Sequence, residues 1–288
     1  MEIRKLFEEK RPQFSLEIFP PKDHASGVET IYETLDGLSG LRPAFISCTY
    51  GAGGNPADRS TIEICSIIRG KYGILPISHL TCVNNTKEDI DEILEGLRQA
   101  GVSNILALRG DFKEGVPPKD DFRYASDLIE YIKKKAPDFS VSAACYPEGH
   151  PSSDSIVSDV LHLKHKVECG AEHLISQLFF NNEDFYRFRE RCAIAGINVP
   201  IEAGIMPVTS KQSIMRMVSM CGASIPAKLA KILNRFENNP KALEEACTVY
   251  ATDQIVDLIS NDVDGIHLYT MNKPYLAHRI FSSIEAMR

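Results

Sequence analysis

The 288-residue sequence predicts one α/β domain over residues 1–288 with the architecture of a (β/α)8 TIM barrel. Short apolar runs of strand type recur eight times, helical patterns separate them, and most repeats are roughly 30 residues long. The chain length also suits one such barrel. An open doubly wound sheet is the main alternative. No Gly-x-Gly-x-x-Gly or Walker-type loop follows a strand, which counts against a dinucleotide-binding fold of that kind.

The eight predicted strands are short, rich in apolar and β-branched residues, and bounded by glycine, proline or polar residues. Pro20 and Pro21 close the first strand because proline cannot continue a ladder of backbone hydrogen bonds. In chain order, the predicted strands cover residues 14–19, 44–49, Leu75–Thr81, Asn104–Leu108, 139–145, 173–179, 200–206 and Gly265–Tyr269.

The clearest predicted helix follows the third strand. Thr86 begins a capping box in which Asp89 replaces the usual glutamate, and Gly101 can end the helix in a left-handed conformation. Between them, one apolar face is formed by Ile90, Ile93, Leu94 and Leu97. Further helices are predicted at residues 28–38, 59–71, 124–135, 153–169, 183–195 and 273–287. Three extra helices are predicted between strands seven and eight, at residues 210–220, 227–236 and 242–260.

The composition excludes several classes of protein. The net charge of -7 argues against nonspecific binding of nucleic acid, which needs a basic surface. No apolar run is long enough for a membrane span, and the first residues lack the apolar core of a signal peptide, so we expect a cytoplasmic protein. The eight cysteines form no Cys-x-x-Cys pair, which argues against a structural zinc site or a disulfide framework.

Polar residues collect at the carboxyl ends of the predicted strands, where a barrel places its catalytic groups. The fourth strand runs directly into Arg109, Gly110 and Asp111, so a cation and an anion flank a glycine. We expect the polar residues at the other strand ends to converge on the same mouth: Glu17, Thr49, His79, Thr81, Tyr146, Glu148, His150, Gln177 and Tyr269.

Two of these groups of polar residues allow more than one interpretation. Glu17 lies between Leu16 and Ile18, and an apolar setting would favour a protonated carboxyl group that suits a proton donor; a structural ion pair is the other role. A metal site is a weaker hypothesis, because no closely spaced pair such as His-x-x-x-His supports it. The residues it would use are Glu17, His79, Asp111 and His150.

The predicted helix at residues 153–169 carries a cluster of polar residues on its surface. A solvated face is one interpretation, and a contact for a pyrophosphate near the barrel mouth is the other. The residues concerned are Asp159, His162, His165 and Lys166.

Eight motifs occur in order along the chain from Phe14 to Asn272. They are FSLEIFPPK at 14–22, CTYGA at 48–52, PISHLTC at 76–82, ALRGD at 107–111, YAS at 124–126, ACYPEGHP at 144–151, SQLFF at 176–180 and GIMPV at 204–208. Together they resemble the methylenetetrahydrofolate reductase family. The chain is similar to the catalytic barrel of the bacterial form, without the C-terminal regulatory domain of eukaryotic relatives, which binds S-adenosylmethionine.

The resemblance implies a FAD-dependent reductase with ping-pong kinetics. NADH or NADPH would reduce the flavin and leave, and 5,10-methylenetetrahydrofolate would then bind and be reduced to 5-methyltetrahydrofolate. By the same resemblance, Glu17 would be the general acid, Asp111 would bind the pterin near the flavin, and Gln177 would contact folate and nicotinamide in turn.

The resemblance also implies a set of cofactor contacts: Thr49, Tyr50, Ala52, His79, Arg109, Gly110, Asp111, Tyr124, Ala125, Tyr146, His150, Asp159 and Lys166, with His162 and His165 in neighbouring positions. Two positions depart from the family pattern. Lys211 stands where some relatives have a phenylalanine, and Lys273 replaces a substrate-binding arginine, which keeps the charge but loses the bidentate fork. Both changes bear on the affinity for folate and nicotinamide.

Two other functions stay open at this stage. One is a pterin-binding or metal-assisted barrel without flavin, which would be colourless. The other is a flavin-bearing subunit that takes its electrons from a partner protein. A homo-oligomer is also compatible with the sequence.

Overall fold

The computed structural model describes residues 3–9, 11–21, 29–50, 60–112 and 117–288. Within these residues, eight parallel strands close into a barrel in sequential order, with β8 paired to β1. The predicted (β/α)8 barrel is therefore confirmed. The strands are β1 (Gln13–Ile18), β2 (Phe45–Cys48), β3 (Leu75–Thr81), β4 (Asn104–Leu108), β5 (Ser140–Cys145), β6 (His173–Ser176), β7 (Ile201–Ile205) and β8 (Gly265–Tyr269).

Helices surround the barrel and follow the predicted order, with three extra helices between β7 and β8. They are α1 (Ile3–Glu9), α2 (Glu29–Ser39), α3 (Ser60–Tyr72), α4 (Lys87–Gln99), α5 (Ala125–Lys135), α6 (Ile156–Glu168), α7 (Asn182–Ala195), α8 (Lys211–Cys221), α9 (Ala227–Arg235), α10 (Pro240–Ser260) and α11 (Pro274–Ser283). None of the helices in the described part of the chain combines the length and apolar character needed to cross a membrane.

Helix α1 was not predicted from the sequence. It has seven residues, which is too short for a clear helical period. Its buried residues Ile3 and Phe7 belong to an apolar cluster with residues of the strands, and the Phe7 ring stacks on His173 at 4.9 Å between ring centroids. Since His173 is the first residue of β6, α1 covers the amino end of the barrel, opposite the predicted site.

The local signals at the start and end of α4 are confirmed. The Thr86 hydroxyl accepts a hydrogen bond from the backbone N–H of Asp89 at 3.2 Å, and the Thr86 N–H donates to the Asp89 carboxylate at 2.8 Å. Gly101 adopts a φ of 71°, the left-handed conformation that ends such a helix. These hydrogen bonds satisfy backbone groups that the helix end would otherwise leave unpaired.

The strands place their side chains alternately inside and outside the barrel. Leu16 and Ile18 belong to the main hydrophobic core between the strands and the helices, whereas Ser15 and Glu17 contact polar side chains of other strands across the barrel. A second apolar cluster joins α8, α9 and α10 to the ends of β6 and β7. The extra helices therefore form one wall beside the mouth of the barrel.

Candidate active site

A cavity of about 510 Å³ opens at the carboxyl ends of the strands, a volume typical of small-molecule sites. One side of its lining is polar and comes from the ends of β1 to β6. The other side is apolar and comes from the segments that follow β6, β7 and β8 and from α8. That apolar wall includes Leu178, Met206, Met217 and Met271.

The cavity brings together many of the site residues predicted from the sequence: Glu17, Thr49, Tyr50, His79, Arg109, Gly110, Asp111, Tyr146, His150 and Gln177. The remaining described candidates do not line it: Tyr124, Ala125, Glu148, Asp159, His162, His165, Lys166 and Lys273. Glu148, expected at the mouth, accepts instead from the backbone N–H of Ser224 at 3.0 Å. Ala52 lies outside the described residues. The convergence of the strand ends on one mouth is therefore as expected, whereas the predicted contacts on α5 and α6 lie beyond the cavity.

Glu17 is only 7% exposed and faces two imidazole rings. Its Oε2 lies 3.5 Å from Nε2 of His79 and 3.5 Å from Nε2 of His267. The expectation of an apolar setting was therefore wrong, because Leu16 and Ile18 point to the opposite face of β1. Burial lowers the pKa of His79 to about 4, so this ring is neutral near pH 7 and offers Glu17 a polar but uncharged neighbour.

The segment after β8 fixes the backbone around Glu17. The Thr270 hydroxyl donates to the carbonyl oxygen of Glu17 at 2.6 Å. The Asn272 side chain accepts from the Phe19 N–H and donates to the Phe19 carbonyl, both at 2.9 Å. Met271 and Asn272 have positive φ angles of 53°, and this turn presents Met271 to the cavity while Asn272 reaches back to β1.

Gly110 sets the turn that carries Arg109 and Asp111 into the cavity. Its φ is 84°, and a Cβ atom at this position would lie 2.9 Å from Cβ of Thr81. Only glycine meets both requirements without strain. Within the described residues, no carboxylate forms an ion pair with Arg109, and its guanidinium lies 5.2 Å from the centre of the Phe112 ring. The cation is therefore available to an anionic ligand.

Tyr146 and His150 pack together on the same side of the cavity, with their rings in a T-shaped contact at 4.6 Å. Burial raises the pKa of the Tyr146 hydroxyl to about 12, so this group is a neutral hydrogen-bond donor near pH 7. Burial and the nearby Arg109 cation both lower the pKa of His150.

Gln177 follows β6 directly, although it was predicted to lie within the strand. Its backbone N–H donates to the carbonyl of Cys145 at 2.7 Å, and its side-chain oxygen accepts from the N–H of Leu178 at 2.8 Å. These bonds orient the amide so that its NH2 group is left for a ligand. The Tyr269 hydroxyl donates to the carbonyl of Ser176 at 2.7 Å and so braces the same segment.

The predicted contacts on α5 and α6 differ in environment. Lys166 is half-buried, and its Nζ donates to the carbonyl of Ala144 at 2.9 Å. Desolvation of the ammonium group lowers its pKa. Asp159 accepts from the Ser153 hydroxyl at 2.9 Å. The side chains of Tyr124, His162 and His165 are exposed. Ala125, the first residue of α5, is buried.

The two lysines that depart from the family pattern both pair with glutamates outside the cavity lining. Lys211 Nζ lies 2.8 Å from Glu237, and Lys273 Nζ lies 3.7 Å from Glu244. Met217 from α8 lines the cavity on this side. The wall is therefore apolar and flexible rather than cationic.

The residues of the cavity fit a flavin. His79 Nε2 and Thr81 Oγ1 are buried polar atoms that find no hydrogen-bond partner among the residues the structure describes, and both residues line the cavity. Arg109, Tyr146 and Thr49 add donors that suit ring carbonyl groups and phosphates. Among the described residues, no group of three histidine, cysteine, aspartate or glutamate side chains is arranged to hold a metal ion.

Sequence reasoning missed several residues around the site. Asn84, Met206, Met217 and Met271 line the cavity from loops and from α8, where the pattern gives no sign of their direction. Below the cavity, polar residues fill the barrel interior: Ser15, Ser142, His173, Glu202 and His267. Their signal was available, because each is a polar residue inside an otherwise apolar strand.

A polar cavity at the carboxyl ends of eight parallel strands defines this chain as an enzyme of the (β/α)8 barrel class. The cavity contains a carboxyl group, neutral imidazoles and a guanidinium that has no carboxylate partner in the described part of the chain. Residues 2–285 match the sequence model of one family, described as methylenetetrahydrofolate reductase. The chain belongs to the methylenetetrahydrofolate reductase family and is an oxidoreductase.

Similar proteins occur in bacteria and plants. The 5,10-methylenetetrahydrofolate reductase of Escherichia coli strain K12 is 36% identical over 266 residues, which cover 92% of this chain and 88% of the relative. The methylenetetrahydrofolate reductase (NADH) 1 of Arabidopsis thaliana is 37% identical, and the alignment covers 94% of this chain but only 48% of that relative. The chain therefore spans about half the length of the plant enzyme.

A solved structure supports the fold. It is an uncharacterized protein from Clostridium thermocellum described as binding two copies of 5-methyl-5,6,7,8-tetrahydrofolic acid. The TM-score is 0.66 over the full length of both chains, with 14% sequence identity. At that identity the likeness concerns the architecture alone.

Proposed function

We propose that this chain reduces 5,10-methylenetetrahydrofolate to 5-methyltetrahydrofolate with FAD as cofactor and NADH or NADPH as electron donor. The observation that carries the proposal is the presence of Glu17, Asp111 and Gln177 in one cavity, each at the position that the family resemblance gives it. Bound FAD would accept a hydride from the nicotinamide and pass it to the one-carbon unit of the folate.

Glu17 supplies the proton that the folate needs before it can accept a hydride. Protonation of the ring nitrogen that carries the methylene bridge opens the five-membered ring, so the methylene carbon becomes an electrophilic iminium. The buried position of Glu17 beside two imidazoles excludes bulk water from this transfer. Between turnovers the carboxyl group regains its proton from water in the cavity.

Asp111 and Gln177 bind and orient the substrates. Asp111 stands at the mouth and is exposed, so its carboxylate is accessible to the amino and ring N–H groups of a pterin. A carboxylate there also stabilises the positive charge of the iminium. Gln177 presents an amide whose orientation is fixed by Leu178, which suits two ligands that bind in turn.

The predicted cofactor contacts divide into two groups. Thr49, Tyr50, His79, Arg109 and Tyr146 line the cavity and would hold the flavin ring and the adjoining part of the cofactor. The contacts on α5 and α6 would hold the remainder outside the cavity: Tyr124, Ala125, Asp159, His162, His165 and Lys166.

An absorption spectrum of the purified protein, followed by anaerobic addition of NADH or NADPH and then of 5,10-methylenetetrahydrofolate, tests this function. We expect flavin bands that bleach with a nicotinamide and return with the folate. Bands that bleach with neither nicotinamide but return with the folate after chemical reduction would indicate a partner protein as donor. A protein that binds no FAD would reject the proposal.

Replacing Asp111 by asparagine is expected to slow the folate half-reaction by about 10- to 100-fold, because a hydrogen bond to a charged group contributes roughly 1.5–3 kcal/mol. The affinity for FAD should change far less, since Arg109, Tyr146 and the other contacts remain. Stopped-flow measurement of both half-reactions and a titration with FAD check this expectation. Asp138, which pairs with Arg98 at the amino end of β5, gives the control Asp138→Asn. Unchanged folate kinetics in Asp111→Asn would contradict the assigned role.

A further inference from the structure

A chain of buried polar groups runs through the barrel interior directly below Glu17. His267 on β8, Ser15 on β1 and Glu202 on β7 are all 0% exposed. The Ser15 hydroxyl donates to Oε1 of Glu202 at 2.9 Å and lies 2.6 Å from Nδ1 of His267. The other ring nitrogen of His267, Nε2, lies 3.5 Å from Oε2 of Glu17. The chain therefore links a buried carboxyl group to the general acid through one hydroxyl and one imidazole.

The strands are built around these contacts. Ser15 and His267 are register partners on β1 and β8, and Glu202 is the register partner of Gly265 on β8. A Cβ atom at position 265 would lie 2.8 Å from Oε1 of Glu202, so glycine is needed for the carboxylate to reach Ser15. The space that a side chain at position 265 would fill is thus occupied by Glu202.

The direction of the hydrogen bonds follows from the number of protons. Ser15 donates its single hydroxyl proton to Oε1 of Glu202, so its oxygen accepts from Nδ1–H of His267. A neutral imidazole with its proton on Nδ1 has a lone pair on Nε2. That lone pair faces Glu17, and Glu17 can donate a hydrogen bond to it only when its carboxyl group is protonated.

We propose that Glu202 and Ser15 fix the tautomer of His267 and that His267 thereby acts as a positioning residue, keeping Glu17 in its proton-carrying form. This inference rests on the proposed function, in which Glu17 donates a proton to the folate. After the donation, the Glu17 carboxylate faces the lone pair of His267, an unfavourable contact that is relieved when Glu17 takes a proton from water in the cavity.

The other polar groups near Glu202, Ser15 and His267 are compatible with a proton on Nδ1 of His267. His173 Nε2 lies 3.2 Å from the second oxygen of Glu202, while the Ser142 hydroxyl lies 3.0 Å from Nδ1 of His173. His79, the other imidazole at Glu17, is neutral near pH 7 because burial lowers its pKa to about 4. Ser47 lies 3.4 Å from Nε2 of His267 and can donate to the same lone pair.

The tautomer can be measured directly by NMR of the wild-type protein labelled with ¹⁵N-histidine, with the His267 signals identified by their loss in His267→Gln. We expect His267 to carry its proton on Nδ1 and not on Nε2. A proton on Nε2 would overturn the proposal. This readout needs neither folate nor nicotinamide, so failure of the proposed function in the flavin assays is distinguishable from failure of this inference.

Ser15→Ala tests the consequence for catalysis. Without the hydroxyl, Nδ1–H of His267 has lost its acceptor. The tautomer with the proton on Nε2 is then favoured, because Nε2–H can donate a hydrogen bond to the Glu17 carboxylate. We expect the pH at which the folate half-reaction loses half of its rate to fall by about one unit, the equivalent of one net hydrogen bond. Reduction of the flavin by the nicotinamide should keep its rate. Glu202→Gln, which replaces the carboxyl group by an amide of nearly the same shape, should shift the same pH profile in the same direction.

Ser140 provides the matched control, because this buried serine also donates to a carboxylate, Glu172, at 2.8 Å, but at the amino end of β5 and away from His267. Ser140→Ala should leave the pH profile of the folate half-reaction unchanged. Profiles of Ser15→Ala and Glu202→Gln that coincide with the wild type would overturn the proposal. Equal slowing of both half-reactions in Ser15→Ala would also overturn it, since that result indicates a packing role. If Ser15→Ala does not fold, the NMR measurement of the His267 tautomer in the wild-type protein still tests the proposal.

Discussion

Replacing Glu17 by glutamine is expected to slow the folate half-reaction by about 10²- to 10⁴-fold, the usual contribution of a general acid. Glutamine has nearly the same shape as glutamate and can occupy the same position beside His79 and His267, but it has no acidic proton to give to the folate. Reduction of the flavin by NADH or NADPH needs no proton from this position and should keep a rate close to that of the wild type. Anaerobic stopped-flow measurement of each half-reaction tests both expectations.

Glu172→Gln is a suitable comparison, because Glu172 pairs with Lys133 at the amino end of the barrel, far from the cavity. Both half-reactions should be unaffected in that variant. A comparable loss of both half-reactions in Glu17→Gln would contradict the assigned role, since it would point to disturbed flavin binding. Normal folate reduction in Glu17→Gln would contradict the role more directly, because it would show that the proton for ring opening comes from another group.

The barrel itself could be predicted because its determinants are local. The strand boundaries are marked by prolines, glycines and polar residues, and β3, β4 and β8 have the predicted limits. The capping box at Thr86 and the left-handed Gly101 are likewise determined by residues close in sequence. Helix α1 escaped prediction because seven residues are fewer than two full turns. Its apolar side chains Ile3 and Phe7 pack against residues of the strands, and this contact exists only after the barrel has formed.

The position of the site could be predicted as well, but the environment of its central residue could not. In a barrel, each strand end meets the others at the same mouth, so polar residues at strand ends identify the site without any tertiary information. The neighbours of Glu17 come instead from closure of the barrel: β8 pairs with β1, and His267 lies 250 positions away in the chain. The flanking Leu16 and Ile18 gave a misleading indication because they lie on the other face of the strand.

The contacts among the buried polar groups below Glu17 could not be predicted from the sequence either. Single polar residues within strands β1, β7 and β8 are visible in the sequence, but a serine, a glutamate and a histidine in separate strands have no mutual spacing that predicts a contact. The register of the barrel decides which of them meet, and the register follows from closure. Glycines at positions 204 and 265 gave a hint, because glycine inside a strand often marks the close approach of another group.

Gly204→Ala is the substitution for which we expect the largest loss of stability. A Cβ atom at this position would overlap the carbonyl oxygen of Ser176 and would lie 2.8 Å from the Tyr269 hydroxyl. The first of these atoms belongs to the backbone of the adjacent strand and cannot move aside without separating β6 from β7. Overpacking of this kind costs typically 1–3 kcal/mol, and we expect about 3 kcal/mol in the free energy of unfolding, measured by denaturant titration.

The same substitution also connects stability to the site, because the Tyr269–Ser176 hydrogen bond of 2.7 Å lies directly before Gln177. Displacement of this hydrogen bond should weaken the binding of both folate and nicotinamide. If the substitution lowers the free energy of unfolding without moving Gln177, both affinities should stay unchanged at a temperature where the protein is folded. Gly70→Ala in α3 is the matched control: nothing lies within 4 Å of the added atom, and alanine in a helix interior should raise stability by about 0.5–1 kcal/mol. A Gly204→Ala protein as stable as the wild type would mean that β6 and β7 adjust without cost, and the close packing inferred around Tyr269 would then be wrong.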